Sequence, residues 1–223
     1  MSKVYSVLVE GNIASGKSTF LRYVKNRFSE KANITYEPLN EWTNFNGRNL
    51  LEELYTNPKK FSFQFQTFVQ LTMARIQFAN ITESIRFSER SLYSERFVFI
   101  EALRILQHIS STEYDILVEW FNLLEPKIQP INEIIYLQTN PAVAFQRLQQ
   151  RGRAEESPIK FGYVELIHTL HEQWLIEKTI STNDNFKKIT VRVVNQNKDL
   201  DELKPEFEQI MSEISQKMSI TII

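Results

Sequence analysis

Along the chain, short apolar runs alternate with longer segments of helical period. Residues 3–9, KVYSVLV, make a compact apolar run of the kind that a strand covered on both faces needs. A glycine-containing loop follows directly, and residues 17–28 then take a helical pattern. A second short strand at 34–36 stops at Glu37-Pro38, because proline has no N–H to give a ladder. Asn57-Pro58 sets an N-cap residue before a proline at the first helical position, and predicts a helix from there to about residue 80. Residues 84–88 alternate as a strand and run into Glu89-Arg90-Ser91, ahead of a helix over 93–109. Ser110-x-x-Glu113 is a capping box, opening a helix with Ile116, Leu117, Trp120, Phe121 and Leu124 on one face. EIIYLQ at 133–138 is a near-continuous apolar strand, and Asn140-Pro141 caps a helix to about residue 150. A polar, arginine-rich break, RGRAEESP, comes next. A helix at about 160–179, a strand at 189–194 and a helix at about 200–217 complete the pattern.

Five short apolar strands separated by helices predict an α/β fold, a parallel sheet flanked by helices on both faces. In such sheets, ligands sit beyond the carboxyl ends of the strands. The conspicuous polar groups fall there: the loop after the first strand, Glu37 after the second, Glu89-Arg90 after the third, and the arginine run beyond the fourth. There is no internal repeat and no low-complexity segment. With 223 residues, 42% of them hydrophobic, the chain is expected to form one domain over 1–223 around a sizeable core.

Charge narrows the partners. A net charge of −1 from 26 basic and 27 acidic residues makes polymeric DNA or RNA an unexpected partner. With no cysteine, disulfides, thiolate metal sites and a cysteine nucleophile are excluded. The N-terminal apolar run is too short for a secretory signal, and no window approaches the length of a membrane span. The expectation is a soluble intracellular protein, in the cytoplasm by default, with no membrane partner.

The chemistry starts at VEGNIASGKSTF, residues 9–20, where Gly11-x-x-x-x-Gly16-Lys17-Ser18 has the spacing of a phosphate-binding loop. Its members are Gly11, Asn12, Ile13, Ala14, Ser15, Gly16, Lys17, Ser18 and Thr19. Glycines let backbone N–H groups approach phosphate oxygens, and the following helix adds its positive end. Lys17 can reach the β- and γ-phosphates of a nucleotide such as ATP, and Ser18 can ligate Mg²⁺. Glu37 can take a proton from an acceptor hydroxyl; alone it also reads as a solvated turn residue. Glu89 suits the metal and Arg90 an acceptor-side oxygen, although the two could also be a surface ion pair. Arg147 and Arg151 share a helix face, and with Arg153 they suit a transferring phosphoryl group, as part of a lid at about 151–158; taken alone, the segment reads better as a solvated charge run. FSFQFQTF at 61–68 mixes aromatic faces with amides, as a planar base would want and as a helix core also would. His168 and His171 lack a third ligand nearby and read as surface histidines.

Together these stretches resemble the deoxynucleoside kinase family, the group of the insect multisubstrate enzyme, mitochondrial thymidine kinase, and deoxycytidine and deoxyguanosine kinases. The resemblance is carried by EGNIASGKST, EPLNEW, NGRNLLEELYTNPKKFSFQFQTFVQLTM, ERSLYSERFVFIE, YLQTNP, RGRAEES and KFGYVELIHTLHEQWL, in the family's order and spacing from residue 5 to about 176. It implies a phosphate-loop kinase fold with an arginine-rich lid, and transfer of the ATP γ-phosphate to the 5′-hydroxyl of a 2′-deoxyribonucleoside. By position, it implies Glu37 as general base, Arg90 holding the same oxygen, and Glu89 placing Mg²⁺. Tyr55 and Glu156 would bind the 3′-hydroxyl, Gln66 the base edge, and Phe65 and Phe99 the base faces. Trp42, Ile13 and Leu51 would shape the pocket, and Val69, Met73 and Glu95 would line the base's far edge. Val69 and Met73 follow the thymidine-accepting branch, while the acid at 95 follows the deoxycytidine and deoxyguanosine branch without that branch's arginine at 73. Glu95 would then turn to Arg96, take a proton, or accept from an exocyclic amine, and broad specificity with a pyrimidine lean is expected. The resemblance also implies a homodimer on a helical interface and feedback by a deoxynucleoside triphosphate. A mitochondrial or virus-encoded origin stays open beside the cytoplasm. Two other readings stay open: a thymidylate-type nucleoside monophosphate kinase, and a non-catalytic structural subunit of this fold.

Overall fold

A computed structural model of the protein describes residues 4–179, 186, 188–220 and 222. Five strands form one sheet: β1 (Tyr5–Glu10), β2 (Ala32–Thr35), β3 (Ile85–Glu89), β4 (Glu133–Gln138) and β5 (Thr190–Asn195). All pairings are parallel and the order is β2-β3-β1-β4-β5. The parallel α/β expectation therefore holds. The predicted start of the first strand, residue 3, lies outside the described residues.

The alternation of each strand divides the core. Val7, Val9, Ile135 and Leu137 face one way, against α1 (Lys17–Phe28) and the C-terminal helix α10 (Leu200–Met218). Phe20 of α1 meets Phe207 of α10 edge to face at 4.8 Å. Leu8, Ile134 and Tyr136 face the other way, into a larger cluster. That cluster takes Phe65, Val69 and Met73 from α4 (Pro58–Phe78), Leu117 and Phe121 from α7 (Ser111–Leu124), and Ile167 and Leu170 from α9 (Phe161–His171). Each fully buried Phe or Leu in these layers contributes about 1.5–3 kcal/mol.

The predicted helix at 93–109 is interrupted. It begins as α5 (Leu92–Ser94), widens into a π-helical turn over Glu95–Phe99, and returns to α geometry as α6 (Ile100–Ile105). The predicted helix at 160–179 behaves alike, with α9 passing into a π-helical turn over Glu172–Ile176. The remaining helices are α2 (Leu39–Thr43), α3 (Leu50–Thr56) and α8 (Pro141–Arg151).

Two capping expectations part ways. Ser110 accepts from Glu113 N–H and the Glu113 carboxylate accepts from Ser110 N–H, closing the capping box ahead of α7. Asn57 precedes α4 as predicted, but its side chain makes no cap bond, and its carbonyl accepts from Lys60 and Phe61 N–H instead. The predicted apolar face of α7 also splits: Leu117 and Phe121 are buried, whereas Ile116 and Trp120, with Leu123 beside them, are exposed.

Candidate active site

The carboxyl ends of β1, β2, β3 and β5 converge on one cavity of about 470 Å³, joined by Arg147 of α8 from the β4 side. Its floor is the loop after β1. Gly11 and Gly16 have φ of +148° and +92°, and Ala14 sits in the left-handed region at +58°. A Cβ on Gly11 would lie 2.7 Å from Ser15 Oγ and 2.8 Å from the Leu137 carbonyl, so only glycine fits. Asn12 braces the loop from inside, donating to the Val164 carbonyl at 2.9 Å and accepting from Ile13 N–H at 2.8 Å. α1 starts at Lys17, so its free N–H groups open onto the loop. Lys17 is buried and folds its ammonium onto the carbonyls of Asn12 at 2.8 Å and Gly11 at 3.2 Å. Burial, reinforced by the Arg90 charge, lowers Lys17 to about 8.

The chain after β2 and the turn after β3 meet above this floor. Arg90 Nε lies 2.6 Å from Glu37 Oε1, with both side chains largely buried. Arg90 Nη1 also donates to the Gly11 carbonyl at 3.0 Å, and the guanidinium carbon stands 4.5 Å from the centre of the Phe99 ring. Ser18 Oγ donates to Glu89 at 2.9 Å and 3.1 Å from its two oxygens. Burial, and then the nearby Glu37 charge, raises the Glu89 carboxyl.

Beyond Arg90 the cavity becomes an apolar slot. Ile13, Trp42, Leu51, Phe65, Val69, Met73 and Phe99 line it, with Tyr55, Gln66, Glu95 and Glu156 as polar members. Trp42 is fixed by its indole N–H to Thr72 Oγ1 at 3.0 Å, and Phe65 meets it edge on at 5.7 Å. Gln66 Oε1 and Glu95 Oε1 are buried and find no hydrogen-bond partner among the described residues. Burial raises Glu95 to about 8, with Arg90 opposing and Glu37 adding to the rise. Glu95 is therefore mostly a neutral acid at pH 7. Arg96 does not pair with it: the Arg96 guanidinium is 3.8 Å from Glu101 and stands over Phe97 and Tyr114.

The arginine-rich break forms the remaining wall. α8 ends at Arg151, and Gly152 turns the chain with φ +62° into a single 3₁₀ turn, Ala154–Glu156. Arg151 donates to both oxygens of buried Glu156 at 2.7 Å and 2.6 Å, and Arg153 to one at 3.4 Å. Arg147 donates to the Lys198 carbonyl at 3.3 Å. All three arginines, with Thr19, line the same cavity.

A phosphate loop, an acid–arginine pair and a base-sized slot thus share one space. The family description "Deoxynucleoside kinase" matches residues 7–219. The chain belongs to the deoxynucleoside kinase family. As a deoxynucleoside kinase it is an ATP-dependent phosphotransferase. It is 36% identical to the mitochondrial deoxyguanosine kinase of Xenopus laevis, over 89% of this chain and 84% of the relative. It is 34% identical to deoxycytidine kinase 2 of Gallus gallus, over 95% and 89%. To mitochondrial thymidine kinase 2 of Macaca fascicularis it is 39% identical, over 78% and 65%.

In this kinase the histidine expectation fails at one position. His171 is fully buried, with Nδ1 2.7 Å from the Ile167 carbonyl and its ring parallel to Tyr136, and burial lowers it well below the ordinary histidine value. Among the described residues, no group of three or more His, Asp or Glu could hold a metal ion. No helix of the described residues is long and apolar enough to cross a membrane. Sequence reasoning missed Tyr163 and Gln196, which also line the cavity. Tyr163 lies within KFGYVEL, where its register on α9 was the available signal, and Gln196 follows β5, where the charged Lys198 two residues on also lines the cavity.

Proposed function

We propose that this chain, acting as one kinase domain, transfers the γ-phosphate of ATP to the 5′-hydroxyl of 2′-deoxyribonucleosides. The observation that carries this reading is the Glu37–Arg90 pair, 2.6 Å apart between the phosphate loop and the apolar slot. A hydroxyl placed there meets a carboxylate able to take its proton and a guanidinium able to hold its oxygen. Lys17 and the loop N–H groups hold the donor phosphates, and Arg147, Arg151 and Arg153 face the transferred group from a lid at about 151–158. The Ser18 hydroxyl and Glu89 are the hard oxygen donors that suit Mg²⁺ beside nucleotide phosphates and water. Bound there, Mg²⁺ would neutralise charge on the phosphates.

On the acceptor side, Tyr55 and Glu156 take the 3′-hydroxyl, Gln66 the base edge, and Phe65 and Phe99 the base faces. The unpartnered oxygens of Gln66 and Glu95 support this, because buried polar atoms are costly until a ligand satisfies them. With the uncharged Met73 lining the same cavity, a neutral Glu95 can exchange hydrogen bonds with a pyrimidine edge or accept from an exocyclic amine. Specificity is broad with a pyrimidine lean. Kinetics with thymidine, deoxycytidine, deoxyadenosine and deoxyguanosine test it, and a purine-only profile would overturn the lean. Thymidylate as the better acceptor would favour a monophosphate kinase, and no turnover on any acceptor a structural role. The exposed Ile116, Trp120 and Leu123 of α7, and Leu71 of α4, support a homodimer. The end-product deoxynucleoside triphosphate would fill donor and acceptor regions together as a feedback inhibitor. Cytoplasmic residence fits this reading; sedimentation and cell fractionation test assembly and location.

A further inference from the structure

One fully buried carboxyl stands outside the roles given above. Glu10, the last residue of β1, has no solvent exposure and accepts the Ser91 hydroxyl proton at 2.6 Å. Its second oxygen, Oε2, has no partner among the described residues. Burial raises Glu10 to about 7, against the Ser91 hydroxyl, the Arg90 charge, Ser94 and Lys17, which all favour the charged form. Charged or neutral, it keeps an oxygen that can accept from Ser91.

The bonds around it show a clasp. Three consecutive residues, Val9, Glu10 and Gly11, grip one turn. The Val9 carbonyl accepts from Arg90 N–H at 3.0 Å. The Glu10 side chain accepts from Ser91, and the Gly11 carbonyl accepts from Arg90 Nη1 at 3.0 Å. Arg90 needs such a grip, because its φ of +60° lies where a residue with a side chain is strained unless its surroundings hold it. Ser91 extends the clasp, since its hydroxyl also accepts from Ser94 N–H at 3.2 Å and so caps the helix that carries Glu95 and Phe99. Two of the three contacts run through the main chain; Glu10 supplies the side chain that a substitution can remove.

We propose that Glu10 is a positioning residue whose hydrogen bond to Ser91 locks the Arg90 turn onto the phosphate loop. The distance from the phosphate loop to the Glu37–Arg90 pair is then fixed by the fold before either substrate arrives. The inference rests on the reading of Glu37 and Arg90 as the groups that meet the acceptor hydroxyl. It assigns Glu10 an effect on turnover rather than on substrate binding, because the loop N–H groups are untouched and Ser91 still caps the helix of Glu95 and Phe99 through Ser94 N–H when Glu10 is replaced.

Steady-state kinetics on Glu10→Ala, Glu10→Gln, Ser91→Ala and the Glu10→Ala/Ser91→Ala double variant test it, each normalised to its folded fraction by thermal unfolding. Loss of the bond should lower kcat about tenfold in Glu10→Ala, with KM for ATP and for the deoxynucleoside within about twofold. Glu10→Gln, which keeps an acceptor oxygen, should recover most of that loss. The double variant should be no worse than the poorer single one, as expected for two ends of one interaction. Unchanged kcat in Glu10→Ala, a raised KM with kcat intact, a Glu10→Gln as poor as Glu10→Ala, or multiplied losses in the double variant would each overturn the clasp. A wild-type chain inactive on every deoxynucleoside would overturn the kinase reading and the clasp together, whereas an active wild type with unaffected variants overturns the clasp alone.

Discussion

Arg90 places its Nε 2.6 Å from Glu37 while its Nη1 donates to the Gly11 carbonyl at 3.0 Å, so one guanidinium joins Glu37 to the phosphate loop. Removing the acid without removing its volume isolates the proposed proton-transfer role. Glu37→Gln should lower kcat by about 10²- to 10⁴-fold while the deoxynucleoside still binds. Turnover within a factor of three of wild type, with binding followed by calorimetry, would rule out Glu37 as the base.

Ser18 Oγ lies against both carboxylate oxygens of Glu89, the pair proposed above to hold Mg²⁺. Ser18→Ala should lower kcat at least about tenfold at fixed Mg²⁺ and raise the Mg²⁺ concentration needed for half-maximal rate. Magnesium titrations at saturating ATP measure both effects. An unshifted Mg²⁺ dependence would place the ion elsewhere.

Glu95 is buried and lines the same cavity as the uncharged Met73, and burial raises it from the ordinary 4.5 to about 8. Between these values the folded chain holds a proton that the unfolded chain has released. Its contribution to stability is therefore full below about 4.5 and is lost as pH rises through about 8. Glu95→Gln should then gain thermal stability on wild type as pH rises, with a Tm advantage that is larger at pH 9 than at pH 5 by about 4 °C or more. Unfolding curves across that range test the sign, and parallel curves for the two proteins would refute the buried acid.

Met73→Arg gives Glu95 a cation and fills part of the slot. Thymidine kcat/KM should fall about tenfold or more, and the ratio of deoxycytidine or deoxyguanosine to thymidine should rise. The same four-substrate assay reads it. An unchanged ranking would move base selection away from residues 73 and 95.

The strong periodic elements were legible in the sequence: α1 and β4 occur at the predicted bounds, 17–28 and 133–138. β2 lies at Ala32–Thr35 rather than 34–36, because pairing with Ile85–Ser88 of β3 sets its register, and no local pattern encodes a partner strand. The short helices α2 and α3 were not read at all. At 5 and 7 residues they are too short to hold by propensity, and they exist because Trp42, Leu51 and Leu54 dock into the core. The site was more legible than the helices around it, since each predicted site residue lies at the cavity or in its loop. His171 was not legible: an i,i+3 pair looks the same whether the helix turns it to water or, as here, onto Tyr136.

The π-helical turn at Glu95–Phe99 limits how this chain can change in length. Such a turn carries one residue more than α geometry needs, and it lets Glu95 and Phe99 face the cavity while Ile100, Ala102 and Leu103 stay in the core. Deleting any one of the five would let the segment relax to a uniform α-helix. The helix on either side would keep its register, but the spacing between the positions of Glu95 and Phe99 would shorten within the turn. The core would keep Ile100, Ala102 and Leu103, while the slot would lose the present placement of Glu95 or Phe99. Substitutions here can reshape the slot one position at a time, whereas a deletion would disturb the slot and leave the core behind it in place.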